Sequence, residues 1–172
     1  MVALEMEILY WIQNLHTPWL DQLMVSISSL GNMGQFWIAL ALLFICIPKT
    51  RRIGVSMLIS ILIGFLLGNL LLKNLFERPR PCWMDPSIAL LIPSPTDFSF
   101  PSGHSLVSFE GAVSIWLQNK KLGIAALILA VFIALSRLYL FVHFPSDVVF
   151  GSLMGAGIAW LVYCIMQKRT CK

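Results

Sequence analysis

Three short polar strings interrupt a largely apolar chain, and their residue types suit the handling of phosphate. In the first, six residues separate Lys73 from Arg80-Pro81. The second is Pro101-Ser102-Gly103-His104. In the third, five residues separate Ser136-Arg137 from His143, and three more separate His143 from Asp147. A phosphomonoester or diphosphate brings concentrated negative charge, and transfer of its phosphoryl group depends on positioning and on stabilising the equatorial oxygens. Lys73, Arg80 and Arg137 supply cations for that purpose. The planar fork of arginine can bond two oxygens at once, whereas lysine acts as a point charge. Ser102 and the backbone N–H of Gly103, at the start of an expected helix, add donors where a helix N-terminus favours anions.

Taken singly, each of these residues has a plainer reading. Lys73 and Arg137 could be cations snorkelling from helix ends. His104 or His143 could be a structural histidine, and Asp147 a helix cap. What favours chemistry is that the three strings stand, in order, at the ends of different apolar segments, where the topology below brings them to one side.

The elements that must position them are membrane helices. Of 172 residues, 58% are hydrophobic and only 12% charged, against about a quarter charged in ordinary globular proteins. A soluble protein could not bury so much apolar surface. The apolar blocks approach the roughly 20 helical residues needed to cross a hydrocarbon core of about 30 Å. The net charge of +4 does not point to a nucleic-acid partner, because the basic residues are scattered in small groups between apolar blocks. Cys46, Cys82, Cys164 and Cys171 show neither zinc-site spacing nor the density of a disulfide scaffold, and they are assigned no chemistry. Residues 1–7 carry two acids and no basic residue. They lack the positive start of a cleavable signal, so the first apolar segment is expected to stay in the mature protein.

The expected fold is a single all-α integral membrane domain over residues 1–172, with six transmembrane helices and an N-terminal interfacial helix at residues 6–15. Thr17-Pro18 is a good helix start, with threonine as the cap and proline in the first helical position. It opens a first span at 18–30, which contains Asp21 and is short. Residues 31–34 read as a turn. A second span at 35–47 ends at Pro48, and a third runs over 53–72. The loop 73–101 holds six of the nine prolines and cannot be a continuous spanning helix. The last three spans cover 105–118, 122–135 (continuing toward Phe141) and 148–166.

With the N-terminus inside, the inner segments hold Lys49, Arg51, Arg52, Lys120, Lys121, Lys168, Arg169 and Lys172, and the outer ones only Lys73, Arg78, Arg80 and Arg137. Cytoplasmic loops collect Lys and Arg. The bias therefore places both termini in the cytoplasm and the three strings outside, with His16 on the opposite side and not catalytic. Glu110, inside the fourth span, is expected to face the bundle and not lipid. Glu77 and Arg78 either shape the headgroup site or pair with each other. Trp83, Trp116 and Trp160 are candidate interface anchors.

At the three strings the chain resembles the type 2 phosphatidic acid phosphatase (PAP2) family, membrane lipid phosphatases that share a core with vanadium haloperoxidases. Lys73, six residues and Arg80-Pro81 match the family's first motif; residues 101–104 match the second; Ser136-Arg137, His143 and Asp147 match the third. The resemblance implies that His143 attacks phosphorus to form a phosphohistidine, and that Asp147 holds its ring and stabilises the positive imidazole. It implies that His104 protonates the leaving oxygen and then activates water, steps that suit a group titrating near neutrality. Neither metal nor cofactor is implied, because the two histidines have separate roles and no further ligand cluster accompanies them.

The implied partner is a lipid phosphate or diphosphate in the outer leaflet. Undecaprenyl diphosphate comes first, since a compact six-span chain looks like the bacterial members that recycle that carrier. Phosphatidylglycerol phosphate and phosphatidic acid follow, because the motifs recognise phosphate and not the tail. A non-catalytic lipid-binding or transport protein of the same fold would be marked by a lost nucleophile, yet His143, His104 and Asp147 are all present. Vanadate-dependent haloperoxidation shares the motifs, but the members that resemble this group are soluble and larger.

Overall fold

The computed structural model describes residues 2–170, with side chains through Lys168. Their regular structure is helical: α1 (Val2–Gln13), α2 (Pro18–Ser29), α3 (Gln35–Cys46), α4 (Arg51–Gly64), α5 (Lys73–Phe76), α6 (Pro81–Met84), α7 (Gly103–Gln118), α8 (Lys120–Tyr139) and α9 (Pro145–Thr170). A 3-10 turn, Asn32–Gly34, joins α2 to α3, and a π-helical stretch, Phe65–Leu72, carries α4 into α5. Among the described residues there is no strand. Cys171 and Lys172 lie outside the described residues, as does the side chain of Arg169.

The helix starts follow their local chemistry. Thr17 accepts a hydrogen bond from the Leu20 N–H, with Pro18 in the first turn. Asn119 accepts from the Leu122 N–H at the head of α8. The central helix is α7, packed against α4, α8 and α9. Its buried residues are mostly small (Ser105, Ser108, Gly111, Ala112 and Ser114), with Leu106, Glu110 and Ile115 among them. Without a hydrophobic force between helices in lipid, the small residues allow close backbone packing. A Cβ on Gly155 of α9 would stand 2.4 Å from the backbone oxygen of Leu106 in α7. Trp37 Nε1 donates to Ser108 Oγ at 3.1 Å, tying α3 to α7. Outside this interior of serine and glycine the exposed residues include Leu62, Leu70, Ile124 and Leu153. An apolar exterior around a small, partly polar core suits lipid as the solvent.

Among the described residues, three helical stretches are long and apolar enough to cross a membrane: Arg51–Met84, Lys120–Tyr139 and Pro145–Lys168. A fourth arises if Pro18–Ser29 and Asn32–Cys46, which meet at a bend of 44°, form one span. Such a bent pair is a broken span or a re-entrant loop. Each helix has 12 residues and so rises only about 18 Å, short of the bilayer core. Neither of the expected crossings at 18–30 and 35–47 is thus of span length by itself. The 16-residue α7 rises about 24 Å and is enclosed by its neighbours.

Helix α1 lies across the end of the bundle that carries residues 140–147. Tyr10 Oη donates to Asp85 Oδ2 at 2.8 Å, Gln13 Nε2 to the Tyr139 carbonyl at 3.2 Å, and Glu5 Oε1 accepts from the Ser146 N–H at 2.9 Å. The His16 ring stacks on Tyr139 with centroids 4.2 Å apart. The N-terminus and His16 thus share an end with the third polar string, which differs from their expected placement on the opposite side. At the far end Arg52 Nη2 donates to the Met166 carbonyl at 2.9 Å, so α4 begins beside the end of α9. Of the expected anchors, Trp160 is exposed, Trp116 lies under the Lys120 ammonium, and Trp83 Nε1 donates to the Pro95 carbonyl.

Candidate active site

The first string depends on the π-helical stretch. In a regular α-helix Lys73 would stand about 180° around the axis from Gly64. Wider turns of roughly 4.4 residues return it to nearly the same face. Gly64 packs on Glu110 and Gly68 on Leu106, while Lys73 lines a cavity with Arg80 and Arg137. Arg80 precedes α6 in extended conformation. Arg137 lies in the last turn of α8, His143 in the turn beyond it, and Asp147 in the first turn of α9. Ser102 caps α7: its Oγ accepts from the Ser105 N–H and hydroxyl. Gly103 and His104 line the cavity, but Ser102 is fully buried and is not among the lining residues.

His143 is 1% exposed, and its partners fix its tautomer. Arg80 Nη1 lies 3.1 Å from His143 Nε2. A guanidinium has no acceptor, so Nε2 must present its lone pair and Nδ1 must carry the proton. Asp147 Oδ2 stands 3.7 Å from Nδ1, beyond hydrogen-bond distance. Ser99 mediates: its Oγ is 3.4 Å from Nδ1 and donates to Asp147 Oδ2. The expected pairing of Asp147 with His143 is therefore one of adjacency with a serine between. Burial, followed by the charges of Arg80, Arg137 and Lys73, holds the imidazole well below its ordinary value of 6.5, in the neutral form a nucleophile needs.

Asp147 is itself held tightly. Its Oδ1 accepts from Arg78 Nη1 at 2.6 Å, and its Oδ2 from the Phe144 N–H at 3.0 Å. The same guanidinium donates to Ser146 Oγ and to Glu5 Oε2, each at 2.6 Å, and stacks over the Phe144 ring. Arg78 does not pair with Glu77, which is exposed with a φ of 43° at the end of α5. Partial burial of Glu5 opposes ionisation, but the Ser146 and Arg78 hydrogen bonds hold its carboxyl below the ordinary value.

The cavity measures about 630 Å³. Lys73, Arg80, Arg137, His104 and His143 surround one end, and Ile61, Phe65 and Leu106 continue it between the helices toward Glu110. His104 Nε2 lies 3.0 Å from Asn32 Oδ1, on the turn that breaks α2 from α3. Glu110 is 1% exposed, as expected for a residue turned into the bundle. Arg137 Nη1 bonds Ser28 Oγ, while its buried Nε has no partner, leaving a donor for an anion. Arg80 differs in having every donor engaged. Its Nε bonds the Asp97 carbonyl, Nη1 the Val142 carbonyl and His143, and Nη2 Asp97 Oδ1 and the Phe98 carbonyl.

The structure thus brings Lys73, Arg80, Gly103, His104, Arg137 and His143 to one cavity, with Asp147 directly behind. Arg78, Ser99, Asp97, Asn32 and Glu5 join them in roles that spacing did not reveal. Four of the five lie on loops or on segments remote in the chain. Only Arg78, between Lys73 and Arg80, carried a signal, as a third cation of its string on the side where cations are scarce.

The family model described as PAP2 superfamily matches residues 49–171. An undecaprenyl-diphosphatase from Sulfolobus acidocaldarius is 38% identical over 143 residues, which cover 83% of this chain and 68% of that protein. The crystal structure of a transmembrane PAP2 type phosphatidylglycerolphosphate phosphatase from Bacillus subtilis superposes with a TM-score of 0.79 and 28% identity, covering 96% of this chain and 86% of that one. Aquifex aeolicus LpxE superposes with a TM-score of 0.81 and 26% identity, covering 91% and 93%.

Proposed function

The chain belongs to the PAP2 superfamily, and on that premise we propose that it is a membrane lipid phosphatase working through a phosphohistidine on His143. The observation that carries the reading is the lone pair of His143 Nε2, held among three cations in a cavity with an apolar extension. A lipid tail would run between the helices while its headgroup meets Lys73, Arg80 and Arg137. Nε2 attacks phosphorus, the bond to the leaving oxygen breaks, and that oxygen takes a proton from His104. The positive ring is stabilised by Asp147 through Ser99. Water then gives a proton to His104 and attacks the phosphohistidine. Phosphate leaves, and the lone pair returns to Nε2. In-line transfer of this kind depends on positioned charge more than on any strong acid or base.

Undecaprenyl diphosphate is the substrate proposed first, supported by the similarity to the Sulfolobus protein. Phosphatidylglycerol phosphate is the alternative, supported by the likeness to the Bacillus structure. Phosphate release by purified protein in detergent, without added metal, from these two lipids and phosphatidic acid side by side tests both choices. Release with undecaprenyl diphosphate favoured is expected; no release from any of the three would sink the reading.

The proposed topology has five crossings: α2 with α3, α4 through α5, α7, α8 and α9. The N-terminal helix rests on the outer face beside the active site. Lys49, Arg51, Arg52, Lys120, Lys121 and Lys168 gather at the other end, the pattern expected of a cytoplasmic face. In a protein stripped of native cysteines, Leu4→Cys and Ser87→Cys should both react with an impermeant maleimide on intact cells, and Lys49→Cys should not. Protection of position 87 would reverse the orientation, and protection of position 4 alone would restore six crossings.

A further inference from the structure

The cations of the cavity already hold an anion. Asp97 Oδ2 pairs with Lys73 Nζ, and Asp97 Oδ1 accepts from Arg80 Nη2 at 2.7 Å. The carboxylate comes from the proline-rich loop before α7, and no catalytic step above uses it. Its side chain is 56% exposed, while those of Lys73 and Arg80 are 8% and 3% exposed. Its backbone, by contrast, is anchored. Arg80 binds the carbonyls of Asp97 and Phe98, and the Ser99 N–H donates to the Arg78 carbonyl at 2.8 Å. Rotation of one side chain toward water would therefore free both cations without moving the loop.

Donor counting shows why that rotation matters. All five N–H groups of Arg80 are engaged, and three of them go to backbone carbonyls that the anchored loop and the turn after α8 hold in place. Attack by His143 releases one Nη1 donor toward the phosphate. A second Arg80 donor, and the bond Lys73 now makes, become available only when the Asp97 carboxylate leaves. We infer that Asp97 sets the affinity and charge preference of the phosphate site: its carboxylate occupies Lys73 and Arg80 in the empty site, and a phosphate binds by displacing it. The inference rests on the phosphatase reading for the nature of the anion.

A competitor of one negative charge acts as a threshold. Phosphomonoester and diphosphate headgroups carry about two charges or more near neutrality and can displace it. A phosphodiester headgroup, as in intact phospholipids, carries one and gains nothing by the exchange. Asp97 would thus keep the abundant phosphodiesters of the membrane out of a site lined by buried cations. Occupancy of a site by its own side chain weakens the apparent affinity by the fraction of time the site is free. Two ion pairs to a half-exposed carboxylate correspond to roughly a tenfold effect.

The test is titration of inorganic phosphate into detergent-solubilised wild type and Asp97→Asn by calorimetry, a readout that needs no turnover. It therefore separates failure of this inference from failure of the phosphatase reading. About tenfold tighter phosphate binding by the variant is expected, with wild-type affinity in Asp97→Glu. Asp97→Ser serves the same purpose should the asparagine fail to fold. Unchanged or weaker binding would overturn the inference and leave Asp97 as a support for the two cations. In mixed micelles, phosphatidylglycerol should inhibit phosphate release by Asp97→Asn and leave wild type unaffected. Equal inhibition of both would overturn the charge preference.

Discussion

His143→Gln should lower kcat for lipid phosphate hydrolysis by roughly four orders of magnitude, the scale on which loss of a nucleophile or its orientation acts. Glutamine can still receive the Arg80 N–H through its side-chain oxygen, so the buried guanidinium is not stranded, and phosphate binding should persist. What disappears is the lone pair that forms the covalent intermediate. Rapid quench of wild type with labelled substrate into alkaline detergent, in which a phosphoramidate survives, should trap phosphate on the protein, and the variant should trap none. Residual kcat within tenfold of wild type would exclude the covalent route. The pH profile provides a second check on the same group. Because burial and three cations disfavour the imidazolium, the wild-type kcat/KM should show no loss from His143 protonation near pH 6.5. Removing one cation with Lys73→Met raises the imidazole pKa, so an acid limb should move up toward the neutral range. The sign follows from the neutral form being the active one: a higher pKa means less nucleophile at low pH.

Arg78→Met should produce the second large effect, although the residue lies outside the signature spacing. Its guanidinium joins Glu5 on α1, Ser146, and Asp147 behind the nucleophile. Removing it leaves two carboxylates, 5% and 0% exposed, without their cation. Breaking such a pair costs about 3 kcal/mol in buried settings. A lowered unfolding temperature in detergent is expected, together with a fall in kcat of roughly a hundredfold as Asp147 and Ser99 lose their fixed geometry. Glu5→Gln separates the two contributions. It releases α1 but leaves Arg78 on Asp147, so kcat should fall far less than in Arg78→Met. Equal losses in the two variants would show that Arg78 acts through the seat of α1 and not through Asp147.

The parts of the site legible in the sequence were those that a short stretch of chain carries whole. Ser136-Arg137, His143 and Asp147 lie on a helix end, a turn and a helix start, so their spacing states their convergence directly. Lys73 and Arg80 were legible as a pair for the same reason. Ser99 was not, because its contact with Asp147 spans 48 residues and depends on how the proline-rich loop returns. Asp97 was hidden by its surroundings, since an acid in a polar loop reads as solvated until the two cations are placed around it. Asn32 meets His104 only because α2 and α3 break at that turn.

The helical class and the apolar exterior followed from composition, and α8 and α9 lie close to their expected limits. The course of the first third did not follow. Two 12-residue helices separated by a glycine-containing turn look the same in sequence whether they double back or continue at an angle, since a turn signal marks a break without giving its direction. Counting basic residues could not decide either, because residues 1–17 contain no lysine or arginine. The cationic bias therefore supports the same outward active site whether the chain crosses five times or six.

The π-helical stretch Phe65–Leu72 sets folding and chemistry against each other. Wide turns are rarer and less favourable than α-helical ones, yet here they bring Lys73 onto the face that reaches the cavity. A deletion of one residue in the stretch would let the chain relax into ordinary turns and would swing Lys73 roughly 60° around the axis. Such a shortened chain would gain in the backbone what it lost at the phosphate. Selection for thermal tolerance alone would tend to erase this segment, while selection for turnover would restore it, the familiar opposition between stability and activity located in eight residues.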